Sequence, residues 1–553
     1  MKRNTAIILA AIFALALGLR MWGIGFGLPY AYHVDEPTYV SAALNLGAGI
    51  IGRQPNPTGF SNMLFGEYGA YYLVGRLTGT FTSSAAFEQA YRADPSVFLL
   101  LSRLTSVLFG AATVLVVYGL GARANRRRVG LLAALLLAVS FLHVRDSHYG
   151  VPDVTAPFFI SLTTLFCLMA DQKRGVKYVL LAAASAGFAV ATKWSIWPVG
   201  IPVLIVAVAH SQREAKQRST RKSRWLRDLL LIVLCLAAGF VVGGFQLLLQ
   251  PTTYMSYALR EARAGEAGGF GFWQIDTLPG WLFYLKTLLY GLGIVLLALG
   301  ILGFARRAAL TIMRRDLASV LLISFPLIYF LMMGATQHYF ARYALPLVPF
   351  VALFAAEAVM ALYDRLALRN RSWAQGITAL LVIGALALPL IASIQHDALL
   401  AQPDTRTLAK EWIEANLPVG AKIAADWLMH TPALPTPDRS VPGDSGKYYD
   451  VNYVGQSGLS EHPLEWYRQQ GYEYLIASSF IYNIPLVFPQ QDADRKAFYT
   501  SLSLDLPLVK EFSVNGDGSE PPFLFDEIYG PVVSLWQRER PGPIIKIYQL
   551  ASK

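Results

Sequence analysis

Charge is the first scarcity in this chain. Asp, Glu, Lys and Arg make up 15% of its 553 residues, while 54% are hydrophobic. An ordinary soluble domain carries about 25% charged residues. The deficit excludes a wholly soluble protein and points to one that spans a membrane repeatedly. Cysteine is nearly absent. Cys167 and Cys235 each lie inside an apolar run, and the long C-terminal segment has none. That excludes a disulfide-stapled scaffold but does not fix the compartment. There is no paired-histidine HExxH motif, no convincing glycine-rich dinucleotide fingerprint and no P-loop. No internal repeat and no low-complexity segment is evident.

The charge that is present is patterned. The net charge is +11, and basic residues cluster at Arg123–Arg128, Lys173–Lys177, Arg213–Arg227, Arg306–Arg315 and Arg365–Arg371. These clusters sit between apolar runs. They therefore read as cytoplasmic loops under the positive-inside rule, not as a nucleic-acid surface. Eleven apolar runs mark candidate spans, at about 5–24, 96–121, 129–142, 154–170, 178–193, 196–210, 229–249, 281–304, 317–334, 343–363 and 373–396. With a cytoplasmic N-terminus, all five basic clusters fall on the cytoplasmic side. A signal peptide ending near Ala14-Leu15-Ala16 is disfavoured, because the first run stays apolar to Ile24 and many runs follow.

The outer segments are then the loop 25–95, the turn 143–153, Lys193, the loop 250–280, the turn 335–342 and everything after 397. Phe65–Leu77 is amphipathic and aromatic, suited to lie along the interface. The loop 250–280, with Gly265, Gly268, Gly269, Gly271, Phe270, Phe272 and Trp273, suits contact with headgroups. Beyond His396 the composition becomes that of a soluble domain. Thr405–Asn416 and Glu461–Gln470 read as helices; Ala421–Ala425, Tyr472–Ala477, Leu506–Phe512 and Pro543–Leu550 read as strands. The expected organisation is a membrane domain over 1–396 and an extracytoplasmic α/β domain over 397–553.

His33-Val34-Asp35-Glu36-Pro37 follows the first span on the outer side. Carboxylates at a membrane face are expensive to keep ionised, which marks them as functional candidates. This motif and its topology resemble the GT-C superfamily of membrane glycosyltransferases, nearest the dolichyl-phosphate-mannose–protein mannosyltransferase-like branch. Phe283–Arg306, the Arg342-Tyr343-Ala344-Leu345-Pro346-Leu347-Val348-Pro349 stretch and Ala409–Ile423 are similar to later parts of that group. The resemblance implies transfer of a sugar, a mannose-like hexose or a relative, from a polyprenyl-phosphate-sugar donor to a protein, lipid or glycan acceptor. Transfer would occur on the extracytoplasmic face of the plasma membrane with inversion at the anomeric carbon. Lipid A-type acceptors, as for aminoarabinose transferases, are a rival within the same class. A polyprenyl-lipid flippase or transporter, or a non-catalytic lipid-binding paralogue, is the alternative from another class. Against a transporter stand the placement of the acids at one face and the lack of repeated halves.

Asp35 is the expected base for the acceptor hydroxyl, with Glu36 to orient it, bind acceptor or support a metal. Asp153 resembles the family's second acidic position, though Asp also commonly caps a helix. Lys193 and Arg342 suit the donor phosphate, the Arg through bidentate contact. Each also suits an interfacial anchor. Tyr343 belongs to the same phosphate-binding motif. His33, His148, Glu67 and His338 are possible supports. Arg20 and Arg103 are candidates for structural pairing with these acids, and Glu357 reads as structural. A divalent cation is possible, and would need Asp35, Asp153, Glu67 or His148 to converge.

Overall fold

The computed structural model describes residues 3–51, 57–217, 222–267, 279–336, 339–438, 441–442, 445–455, 457–483, 489–521 and 527–550. Residues 268–278 of the 250–280 segment lie outside them, as does His338, while Pro251–Ala267 of that segment is a helix. Eight stretches are long and apolar enough to cross a membrane: Arg3–Met21, Ser96–Ala124, Trp194–Arg213, Leu226–Gly243, Ile294–Arg314, Leu317–Gly334, Ala341–Ala367 and Arg371–Asn416, whose helix ends at Leu400. This is a multi-pass membrane protein. Helices Arg127–Ala138, Thr155–Lys173 and Val176–Thr192 match the expected third, fourth and fifth runs.

Small residues set the packing. Helix Val176–Thr192 turns Ala182, Ala183, Ala186 and Ala189 inward. A Cβ at Gly187 would overlap the carbonyl oxygen of Leu236, and one at Gly239 would overlap that of Ala184. The backbones of this helix and Lys222–Gly243 therefore touch, as small residues permit in a lipid solvent with no hydrophobic drive between helices. The expected span 281–304 is instead two helices, Gly280–Leu292 and Ile294–Arg314. The cause is Gly293, whose φ of 75° no continuous helix accepts. On the basic-cluster side, Glu357 holds Arg307 in a buried bidentate pair, and Arg307 also donates to Ser319 and to the carbonyl of Ala124. Glu357 is structural, as its position in the sequence suggests.

The 25–95 loop is not irregular. It holds helices Glu36–Gly47, Gly59–Thr78 and Ser84–Ala93, packed through Tyr68, Phe81, Phe87 and Phe98. The C-terminal domain is a five-stranded sheet in the order β2-β1-β3-β5-β4. β1 (Lys422–Ala425), β2 (Asp450–Tyr453) and β3 (Tyr474–Ser478) run parallel; β4 (Leu508–Phe512) and β5 (Ile545–Gln549) are antiparallel to their neighbours. The four expected strands are present. β2 is the addition: an edge strand, half exposed and polar, with little hydrophobic signal.

The domain sits on the 25–95 loop. Arg406 stacks on Tyr32 at 3.8 Å, and Thr407 shares a hydrogen bond with the Tyr32 hydroxyl at 2.9 Å. Phe340, Phe480, Ile481 and Ile528 form an apolar seam between the membrane bundle and the domain.

Candidate active site

Asp35 occupies the N-cap position of helix Glu36–Gly47, yet its carboxylate makes no cap hydrogen bond. Helix Thr155–Lys173 likewise starts without a side-chain cap from Asp153. Both carboxylates face Arg342 instead. Arg342 Nη2 is 3.5 Å from Asp35 Oδ2, and its Nε is 3.7 Å from Asp153 Oδ2. Lys193 pairs with the other oxygen of Asp153. Lys193 ends its helix in an extended conformation, and its ammonium lies 4.6 Å from the centre of the Tyr343 ring. Two acids and two cations from four separate segments thus meet in one cluster.

Aromatic rings frame it. The Arg342 guanidinium lies 3.8 Å from the Tyr529 ring and 4.3 Å from that of Phe340. His33 stacks on Tyr149 at 4.5 Å, and its Nδ1 accepts the Asp35 N–H at 3.3 Å. Burial, reinforced by Arg342, Arg103, Arg145 and Arg406, holds the His33 ring well below its ordinary pKa, so it is neutral. Burial raises the Asp35 pKa above the usual carboxylate range; Arg342 opposes this and the charge of Asp153 adds to it.

Other expected site residues lie elsewhere. Glu36 is fully buried and accepts two bonds of 2.8 Å from Arg103 and one of 2.8 Å from the Gly150 amide. Arg103 also donates to the carbonyls of Ile24 and Phe26. Glu36 therefore braces the loop that carries Asp35. Arg20 pairs with none of the site acids by hydrogen bond among the described residues; it donates to the carbonyls at the end of helix Arg127–Ala138. Glu67 accepts from Thr105. His148 stands with His396 and Asp397. The metal set Asp35, Asp153, Glu67 and His148 does not converge, because the space between the two aspartates is filled by Arg342. Among the described residues, one group of three potential ligands is close-set: His148, His396 and Asp397.

The sequence reading missed Tyr529. It enters from the C-terminal domain on a short helix, Glu527–Tyr529. Glu527 fixes that segment by accepting the amides of Val532, Val533 and Ser534. Nothing local in the sequence marks it; only the fold brings residue 529 to residue 342.

Residues 100–242 match the family model for dolichyl-phosphate-mannose-protein mannosyltransferase. No curated protein matches the chain. Among solved structures, it is similar to the Archaeoglobus fulgidus oligosaccharyltransferase in its apo form, at 14% identity and a TM-score of 0.52, over 87% of this chain and 70% of that one. The same enzyme tethered to an acceptor peptide gives 14% and 0.51, with the same coverage. The chain has the GT-C fold. ArnT from Cupriavidus metallidurans, bound to undecaprenyl phosphate, is also similar, at 11% identity and a TM-score of 0.47, over 99% of this chain and 98% of that one. The stretch matched by the family model holds Arg103, the 143–153 turn, Asp153 and Lys193. This chain thus presents four converging ionisable groups, Asp35, Asp153, Lys193 and Arg342, at one end of its helical bundle.

Proposed function

We propose that this chain is an inverting membrane glycosyltransferase that moves a sugar from a polyprenyl-phosphate donor to an acceptor hydroxyl. A mannose-like hexose fits the family match, and the acceptor is a protein or a lipid-linked glycan. The N-terminus is cytoplasmic, and the site faces the opposite side. The observation that carries the reading is the Asp35–Arg342–Asp153–Lys193 cluster.

The chemistry follows from charge. The bond from the anomeric carbon to the phosphate oxygen breaks, and the acceptor oxygen bonds to that carbon from the opposite face. The acceptor proton passes to Asp35. The electron pair leaves with the polyprenyl phosphate, whose growing negative charge needs cations. Arg342 offers a planar fork to phosphate oxygens, and Lys193 a compact charge. Asp153 holds both cations in place before the donor arrives. A raised Asp35 pKa makes it a stronger base than a free carboxylate. Neutral His33 fixes the Asp35 backbone and takes no charge itself.

The test is a panel of radiolabelled polyprenyl-phosphate sugars given to purified protein in detergent, with membrane extract as acceptor. Label moving to acceptor from one donor supports the reading. A chain that binds such lipids but transfers no label from any of them would be a lipid binder or flippase.

A further inference from the structure

A second cluster lies at the same end of the bundle, away from Arg342. His148 stands on the turn after helix Phe141–Asp146, His396 and Asp397 on the last turns of Arg371–Leu400, and Trp22 just past Arg3–Met21. All three ionisable residues are completely buried. His148 Nδ1 is 3.0 Å from the carbonyl oxygen of Val144, one helical turn back, and its Nε2 is 2.9 Å from the carbonyl oxygen of Trp22 and 3.4 Å from Asp397 Oδ1. A neutral ring donates to only one of the two carbonyls. His396 Nδ1 is 3.4 Å from the same carboxylate oxygen, and its Nε2 faces the Tyr149 hydroxyl at 3.5 Å. Asp397 Oδ2 is buried with no hydrogen-bond partner among the described residues.

A buried ring nitrogen whose lone pair meets a carbonyl oxygen is unfavourable, and so is a buried carboxylate oxygen left unpaired. A cation at the centre turns each contact attractive. Zinc holds nitrogen and oxygen ligands at about 2.0–2.2 Å, so tetrahedral ligand atoms stand about 3.3–3.5 Å apart. The separations of His148 Nε2 and His396 Nδ1 from Asp397 Oδ1 are both 3.4 Å, whereas the Trp22 carbonyl oxygen, 2.9 Å from His148 Nε2, stands too close to be a further tetrahedral ligand. Each imidazole also directs its other nitrogen to an oxygen, as metal-bound histidines do. Arg20 acts electrostatically on Asp397. Its guanidinium is committed to the carbonyls of Ala16 and Ala138 and to His143, with no hydrogen bond to Asp397 among the described residues.

We infer that His148, His396 and Asp397 bind one zinc-class divalent cation that ties the 143–153 turn and the last helix together. Two imidazoles and a carboxylate suit zinc among the common cations. The site sits beneath the Tyr149–His33 stack, so it steadies the floor on which Asp35 rests.

The experiment is elemental analysis of the full chain, purified in detergent from zinc-supplemented cells and washed with a mild chelator. We expect one zinc per chain in wild type and in Asp35→Asn, and almost none in His148→Ala or Asp397→Asn. Stripping wild type with a strong chelator should lower its Tm, and added zinc should restore it. Wild type free of stoichiometric metal, or Asp397→Asn with its full complement, overturns the inference. Should a variant fail to fold, protein made in cobalt-fed cells decides the matter: tetrahedral cobalt gives strong visible bands, and their absence counts against the site. Because Asp35→Asn separates turnover from metal content, failure of the proposed transfer reaction leaves this result readable.

Discussion

At the scale of the residue, the deciding fact is where each carboxylate spends its oxygens. Asp35 and Glu36 are adjacent in sequence, and only the resemblance sets Asp35 apart there as the expected base. The structure separates them: Glu36 is consumed by Arg103 and Gly150, and Asp35 is left facing Arg342. Asp35→Asn should cut turnover about 10²–10⁴-fold, with Tm unchanged, since only a positioned base is lost. Glu36→Ala should instead destabilise the protein by about 3–5 kcal/mol, because it strands a buried guanidinium; thermal unfolding in detergent reads the difference. The raised Asp35 pKa has a pH consequence. The base works deprotonated, so kcat/KM should fall as pH drops through that raised value, and at a higher pH than a free carboxylate would give. The acid limb should vanish from the residual activity of Asp35→Asn. Asp35, Asp153, Lys193 and Arg342 were legible because ionisable residues at the ends of apolar runs are rare. His396 and Asp397 carried the same signal but read as the end of a span.

At the scale of the element, helices were legible from apolar runs, and their breaks were not. Gly293 interrupts one run without any change in hydrophobicity, since the break depends on a backbone angle. Strand β2 was invisible because an edge strand needs little apolar surface. Close helix contact is likewise a matter of missing atoms. Gly187→Leu or Gly239→Leu should push helix Val176–Thr192 away from Lys222–Gly243 and lower Tm sharply, while Gly18→Leu, where a Cβ meets nothing within 4 Å, should be tolerated. Equal Tm values for the three variants would contradict the packing described.

At the scale of the whole molecule, the C-terminal domain is part of the site. Its Tyr529 covers the Arg342 guanidinium, and Glu527 preorganises the segment that delivers it. No periodicity joins residues 342 and 529 across a domain boundary, so this union was beyond the sequence. Tyr529→Ala should lower turnover at least tenfold, and Tyr529→Phe, which keeps the ring, far less; steady-state assays of both variants test it. The central claim is that the outer cluster transfers a glycosyl group with Asp35 as base and Arg342 and Lys193 as phosphate ligands. The most direct measurement pairs donor-lipid affinity with sugar transfer for wild type, Asp35→Asn and Arg342→Met. The expected result is that Asp35→Asn binds the donor as wild type does but no longer transfers, while Arg342→Met loses both. Undiminished transfer by Asp35→Asn would contradict the account.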